Sequence, residues 1–261
     1  MNVVVVTFGA VIALAAATRS TWSPCGQSML SQITPVAEAG RGQRFSRTAT
    51  WFVTGAFLGG ATLGAVIAGA AALVGRAHLG DHTALALVAA SALAAGAIDA
   101  HVLGFGPPFL RRQVNEDWLA KYRPWVYGGG FGWQIGAGLT TYVMTAAVPL
   151  VVVVGALSGS PAAAFWLGLG FGLTRGLAVL LGAPLRTHAA LLAFHRRFAA
   201  TAEPVRQAVI AVQLAVGVAG VWIVAPAPVA VVASGGAVAL ILRARPARRT
   251  QVPTSMPSRV A

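Results

Sequence analysis

The chain has 261 residues, of which 57% are apolar and only 10% charged, and this balance excludes an ordinary soluble domain and describes an integral membrane protein. Its 31 glycines and 14 prolines exclude a plain coiled bundle and suit transmembrane helices that approach closely or break around cavities. The formal charge of +13 rests on 18 Arg, one Lys (Lys121) and six acids, without a Lys-rich run, so it is a topology signal rather than a nucleic-acid footprint, and the lone cysteine, Cys25, excludes an internal disulfide framework.

A membrane-spanning helix takes roughly 20 apolar residues. Stretches of that kind begin near Val3, Trp51, Thr83, Phe131, Ala162, Gln207 and Val229. They predict an all-α polytopic membrane protein with about seven transmembrane helices in one domain over 1–243. The first stretch, Asn2 to Ala17, ends in small residues as a signal peptide does, but no Lys or Arg precedes it, which favours a retained helix. Between the third and fourth stretches, Val114, Trp118, Tyr122 and Trp125 recur at helical spacing opposite Arg111, Arg112, Asn115 and Lys121. This pattern predicts an interfacial helix at about 108–126. Residues 244–261 are polar and Pro-rich and read as a disordered tail.

Lys and Arg accumulate on the cytoplasmic side of membrane proteins. Arg41, Arg44 and Arg47 fall on the same side as Arg111, Arg112, Lys121 and Arg123, as Arg186, Arg196, Arg197 and Arg206, and as Arg243, Arg245, Arg248, Arg249 and Arg259. The opposite loops hold Arg76 alone. The expected topology is a multi-pass protein of the bacterial cytoplasmic membrane, with its N-terminus outside and its C-terminus inside.

A weak internal repeat runs through this pattern. Trp22-Ser-Pro-Cys-Gly in the first helix has a counterpart in Trp133-Gln-Ile-Gly-Ala-Gly138 in the fourth, and Trp51 to Gly69 lies without gaps on Phe165 to Ala183. Because the first and fourth helices run in opposite directions, the expected architecture is a 3+3 inverted repeat, with halves at about 1–103 and 127–206, plus one C-terminal helix.

Pro24 lacks an amide hydrogen and pushes Ser23 away from helical angles, so the first helix is expected to break at Ser23, Pro24, Cys25 and Gly26. The equivalent break falls at Gly136, Ala137 and Gly138, and Gln27 and Gln134 bring polar groups to the two breaks. Two readings of Cys25 stand side by side: a thiol lining a cavity, where peptide dipoles lower its pKa, and an inert apolar core residue. Intramembrane charges are costly and mark function by default. Asp99 and Arg175 fall at depths about 6 Å apart if each residue rises ~1.5 Å, and are expected to pair, either to neutralise each other or to gate a path. Arg19 is expected to snorkel, and Gln213 reads as glue between helices. His78 and His82 flank Asp81 at a metal-like spacing, but Gly80 interrupts the helix they would need, and they read as a solvated loop. His101 is placed to bond Asp99, while His188 and His195 read as surface. No metal site and no cofactor is expected.

The Ser-Pro-Cys break, the basic loop Arg41-Gly-Gln-Arg-Phe-Ser-Arg47, the Gly-rich second helix with Phe52 and Gly55, and the repeat together resemble the membrane domain of the CcdA and DsbD thiol–disulfide electron carriers, over roughly Val3 to Leu185. The resemblance implies that Cys25 exchanges disulfides and that an extracytoplasmic thiol protein is the partner. The family's second cysteine belongs in the fourth-helix break, where this chain has Gly136-Ala137-Gly138, so the chain reads as a degenerate member. LysE-like exporters share that broad fold. Three functions stay open: thiol–redox carrier, small-solute transporter, and non-catalytic membrane subunit. The bilayer is the expected surrounding in each, nucleic acid in none.

Overall fold

In a computed structural model of the chain, residues 2–102, 104–107, 121–138 and 141–244 are described. The described residues are built from helices: α1 (Asn2–Ser20), α2 (Pro24–Gln32), α3 (Pro35–Gly40), α4 (Phe45–Arg76), α5 (Asp81–Asp99), α6 (Pro124–Ala137), α7 (Ala147–Leu157), α8 (Pro161–Leu177, continued by a 3₁₀ turn Ala178–Gly182), α9 (His188–Ala200), α10 (Ala202–Val224) and α11 (Ala227–Ala244). Among them, six segments are long and apolar enough to cross a membrane, in α1, α4, α5, α8 with its 3₁₀ turn, α10 and α11. The protein is an all-α multi-pass membrane protein.

Of the seven expected spans, the fourth, near Phe131, is the one that differs. It is divided into α6 and α7, of 14 and 11 residues, about 21 and 16 Å long at ~1.5 Å per residue, so neither alone crosses a hydrocarbon core of about 30 Å. The division starts at Gly138, whose φ of 70° ends α6. That left-handed conformation is routine only for glycine. The first span is also divided, α1 ending at Ser20 and α2 starting at Pro24, with Ser23 as the extended N-cap whose Oγ accepts from the Gly26 N–H at 3.2 Å. A short helix, α3, capped by Thr34, ends the stretch expected as the first span, and α9, capped by Thr187, lies where the sequence suggests only a loop. The interfacial helix expected at 108–126 and the tail at 244–261 fall largely outside the described residues.

Among the described residues three apolar clusters fill the bundle, a small one joining Ile210 and Leu214 of α10 to Ala237 and Ala244 of α11, and two larger ones. One joins Val5, Ile12, Ala16, Leu63, Ile67, Leu85, Val88, Val151, Val154 and Phe171 from α1, α4, α5, α7 and α8. The other joins Cys25, Met29, Leu30, Ile33, Phe52, Phe131, Ile135 and Val179 from α2, α4, α6 and the 3₁₀ turn. The long α4 belongs to both, and small residues let its neighbours reach its backbone. A Cβ on Gly55 would stand 2.1 Å from the Gly129 carbonyl oxygen, and one on Gly136 2.1 Å from that of Ala56. On its other side α4 meets α8 the same way, since a Cβ on Gly172 would come within 2.4 Å of the Gly60 Cα. Dispersion at such close crossings replaces the hydrophobic drive that lipid removes. Gly136→Val is therefore expected to force α6 off α4 and to cost about 3 kcal/mol, the upper part of the overpacking range. Reversible unfolding in mixed micelles measures this, and a cost below about 1 kcal/mol on that scale would mean the crossing is looser than described.

Candidate functional site

The two breaks meet at the boundary between the apolar clusters, and the polar groups there answer the question every helix end poses: where the unpaired carbonyls and amides go. Asp99, the last residue of α5 and 4% exposed, serves the start of α7. Its Oδ1 accepts from the Ala146 N–H at 2.7 Å and its Oδ2 from the Thr145 hydroxyl at 2.5 Å. The Thr145 oxygen in turn accepts the Ala147 N–H at 3.2 Å. Gln213 of α10 donates its Nε2 to Asp99 Oδ2 at 3.1 Å. A negative charge thus sits at the positive end of a half-helix, where the macrodipole favours it.

Arg175 does the converse. It is 3% exposed, and its Nη1 donates to the carbonyl of Ile135 in the last turn of α6 at 2.6 Å and lies 3.4 Å from the Thr141 Oγ1. Thr141 itself donates to the Gly138 carbonyl at 3.2 Å, and the guanidinium carbon lies 5.6 Å from the Phe171 ring centroid. The expected Asp99–Arg175 pair is therefore corrected. Each charge is bonded to a different end of the same divided helix, Asp99 to the Ala146 amide and Thr145 hydroxyl that begin α7 and Arg175 to a carbonyl that ends α6. The reason is local: the end of α6 and the start of α7 offer a negative and a positive helix end, and hydrogen bonding to those ends satisfies the charges where they stand.

The break in the first span is closed by side chains. Ser20 and Thr21 hydroxyls return to the carbonyls of Ala16 and Ala17. The Trp22 indole N–H donates to the Phe198 carbonyl at 2.8 Å, its ring stacks 4.4 Å from that of Phe198, and His195 Nε2 lies 3.1 Å from the Ser31 Oγ. Helix α9 thus covers the break, and His195, expected at the surface, is tied to α2. Cys25 is 2% exposed and sits among Met29, Leu30, Phe52 and Phe131. Gly26 lies against the Thr21 carbonyl and Gly136 against that of Ala56. Gln27 turns back to donate to the Trp22 carbonyl, Gln134 and Ala137 lie within the last turns of α6, and Gln213 is the glue its position suggested.

A cavity of about 200 Å³ opens where the breaks meet, lined by Arg19, Asp99, His101, Tyr142, Thr145 and Arg206 among others. Its wall comes from residues 142–145 rather than from 134–138, because the glycines of α6 are used up in packing on α4. Arg19 does not snorkel; it is 8% exposed. Arg206 was readable only as a topological charge. It bonds Glu203 at 2.7 Å and donates to the carbonyls of Asp99 at 2.9 Å and Ala244 at 2.8 Å, the final residues of α5 and α11. Among the described residues no group of three or more His, Cys, Asp or Glu is placed to hold a metal ion.

The chain is similar to the methylamine utilization protein MauF of Paracoccus versutus, 36% identical over 172 residues that make up 64% of this chain and 61% of that protein. It is 34% identical over 200 residues to MauF of Paracoccus denitrificans, covering 73% of this chain and 70% of that protein. It is also 34% identical over 163 residues to MauF of Methylorubrum extorquens, covering 60% and 56%. No family model matches, and no solved structure matches. These relatives form a family different from the CcdA and DsbD carriers, which overturns that resemblance and with it the thiol-redox and transporter readings. The Ser-Pro pair misleads because an N-cap Ser followed by Pro is what any helix restarting after a break favours, whatever follows it.

Proposed function

The chain belongs to the family of the methylamine utilization protein MauF, and from that premise we propose that it is a multi-pass membrane accessory protein of methylamine utilization. The observation that carries this reading is the 34% identity extending over 70% of the Paracoccus denitrificans protein, a span too long to be one shared helix pair. The buried junction supports an accessory role in a physical sense. Asp99, Arg175 and Arg206 are bonded to helix ends, so they hold the bundle's shape for whatever docks on it. The bundle lies in the bacterial cytoplasmic membrane with its N-terminus outside and its C-terminus inside, a reading supported by the gathering of basic residues in alternate loops.

Deleting the gene from a methylamine-using host is expected to stop growth on methylamine and to leave growth on a multicarbon source unchanged, with the full chain restoring it. Normal growth of the deletion strain on methylamine would overturn the assignment. For topology, an alkaline phosphatase fused after Ala261 is expected to be inactive and a fluorescent protein at the same place to be bright; the reverse pattern would turn the bundle over.

A further inference from the structure

We infer that the cavity between the two breaks is a binding site for a small oxyanion, a carboxylate or a phosphate, held by Arg19. The inference stands on geometry independent of the family assignment. Arg19 sits in the last turn of α1, is 92% buried by its 8% exposure, and its Nη1 is enclosed without a hydrogen-bond partner among the described residues. A buried guanidinium nitrogen left unsatisfied costs several times a neutral group and in a settled structure finds an acceptor.

The other charges of the cavity are already engaged. Asp99 accepts from Thr145, Ala146 and Gln213 and compensates the α7 N-terminus. Arg206 is matched by Glu203 and by the two carbonyls it caps. Among the described residues Arg19 is the lining cation that these bonds leave over. Around it stand groups able to donate to an anion: the Tyr142 hydroxyl and the His101 ring. His101 is held in place by the end of α5, where its φ of 58° closes the helix: its N–H bonds the Ile98 carbonyl and the Val102 N–H that of Ala97. A volume near 200 Å³ takes one small oxyanion with a water or two and is too small for a nucleotide. The planar guanidinium fork is the group best matched to two oxygens of one carboxylate or phosphate.

The anion has two sources, a free ion from solution or the phosphate of an anionic lipid, and one experiment separates them. The full chain is purified in detergent with chloride as the only anion, and its thermal midpoint is followed on adding potassium phosphate or potassium acetate, with retained lipid measured by native mass spectrometry. Three proteins are compared: the natural chain, Arg19→Gln, and Met144→Trp, which fills the cavity from its wall with Arg19 intact. A free ion is expected to raise the midpoint saturably, by about 3–6 °C at roughly tenfold excess over Kd, in the natural chain and in neither variant. A lipid phosphate is expected to appear instead as one phosphatidylglycerol retained by the natural chain and lost from both variants. Either result supports the site. If Arg19→Gln does not fold, Met144→Trp decides alone. A natural chain that neither responds nor retains lipid, or a response that persists in Met144→Trp, overturns the inference. Growth on methylamine is tested separately, so failure here leaves the functional assignment standing.

Discussion

Replacing Asp99 with Ala is expected to lower the unfolding free energy by about 3–5 kcal/mol, because three donors lose their acceptor inside the bundle and each orphaned group costs about 1–3 kcal/mol. The donors are the Thr145 hydroxyl, the Ala146 amide and the Gln213 side-chain amide. Two of them begin α7, an apolar helix of 11 residues, which has too few turns to hold itself and depends on its cap and its packing. Asp99→Asn keeps an acceptor and the shape while removing the charge that faces the helix dipole, so it is expected to cost less, about 1–2 kcal/mol. Reversible unfolding in mixed micelles measures both. An Ala variant as stable as the natural protein would mean that α7 is held by packing alone.

Glu38→Ala is expected to be comparably damaging, at about 3–5 kcal/mol, the cost of breaking a buried ion pair by removing one partner. Glu38 is fully buried and collects three side chains: Tyr127 Oη donates at 2.8 Å, Thr48 Oγ1 at 2.6 Å and Arg41 Nη2 at 2.6 Å. Arg41 also reaches the Gln32 carbonyl. The carboxylate therefore joins the end of α2, the short α3, the start of α4 and the first turn of α6. Arg41 is a quarter exposed and water takes over part of its role, so Arg41→Ala is expected to cost less than Glu38→Ala. Tyr127→Phe, which removes one neutral donor, is expected to cost about 1 kcal/mol. Equal effects of Glu38→Ala and Arg41→Ala would mean that the pair behaves as an exposed surface bridge.

What the sequence carried of this fold is mostly what composition and breakers carry. The apolar stretches placed α1, α4, α5, α8, α10 and α11, and Ser23-Pro24 and Gly138 marked where two spans divide. Helix α4 starts at Phe45 and α10 at Ala202, several residues before the apolar stretches do, because Arg47 is exposed and Arg206 is bonded to Glu203 and to the ends of α5 and α11. Helix α9 was hidden because its pattern is amphipathic and short, with Phe198 its only buried residue. The junction was harder. The expectation that Asp99 meets Arg175 assumed unbroken helices, for which depth follows from residue count. Once α6 ends at Ala137 and a new helix starts at Ala147, that arithmetic fails, and each charge bonds a helix end. Thr145 carried no signal of its own, since a threonine near a helix start is common. Glu38 stayed unnoticed because Thr48 and Tyr127 lie 10 and 89 residues from it in sequence, and nothing local marks such a meeting. The Cys25 reading overvalued a motif whose Ser and Pro are explained by capping, leaving the cysteine as an apolar neighbour of Phe52 and Phe131.

The two intramembrane charges serve opposite ends of one divided helix and not each other. A double-mutant cycle on Asp99→Asn and Arg175→Gln checks this, with unfolding free energies in mixed micelles for the two single variants and the double. Because the charges share no bond, the double variant is expected to be less stable than either single and to lie close to the sum of the two losses. A direct ion pair predicts the opposite, since removing the second charge relieves the one left unpaired. A double variant more stable than the worse single variant would contradict the account.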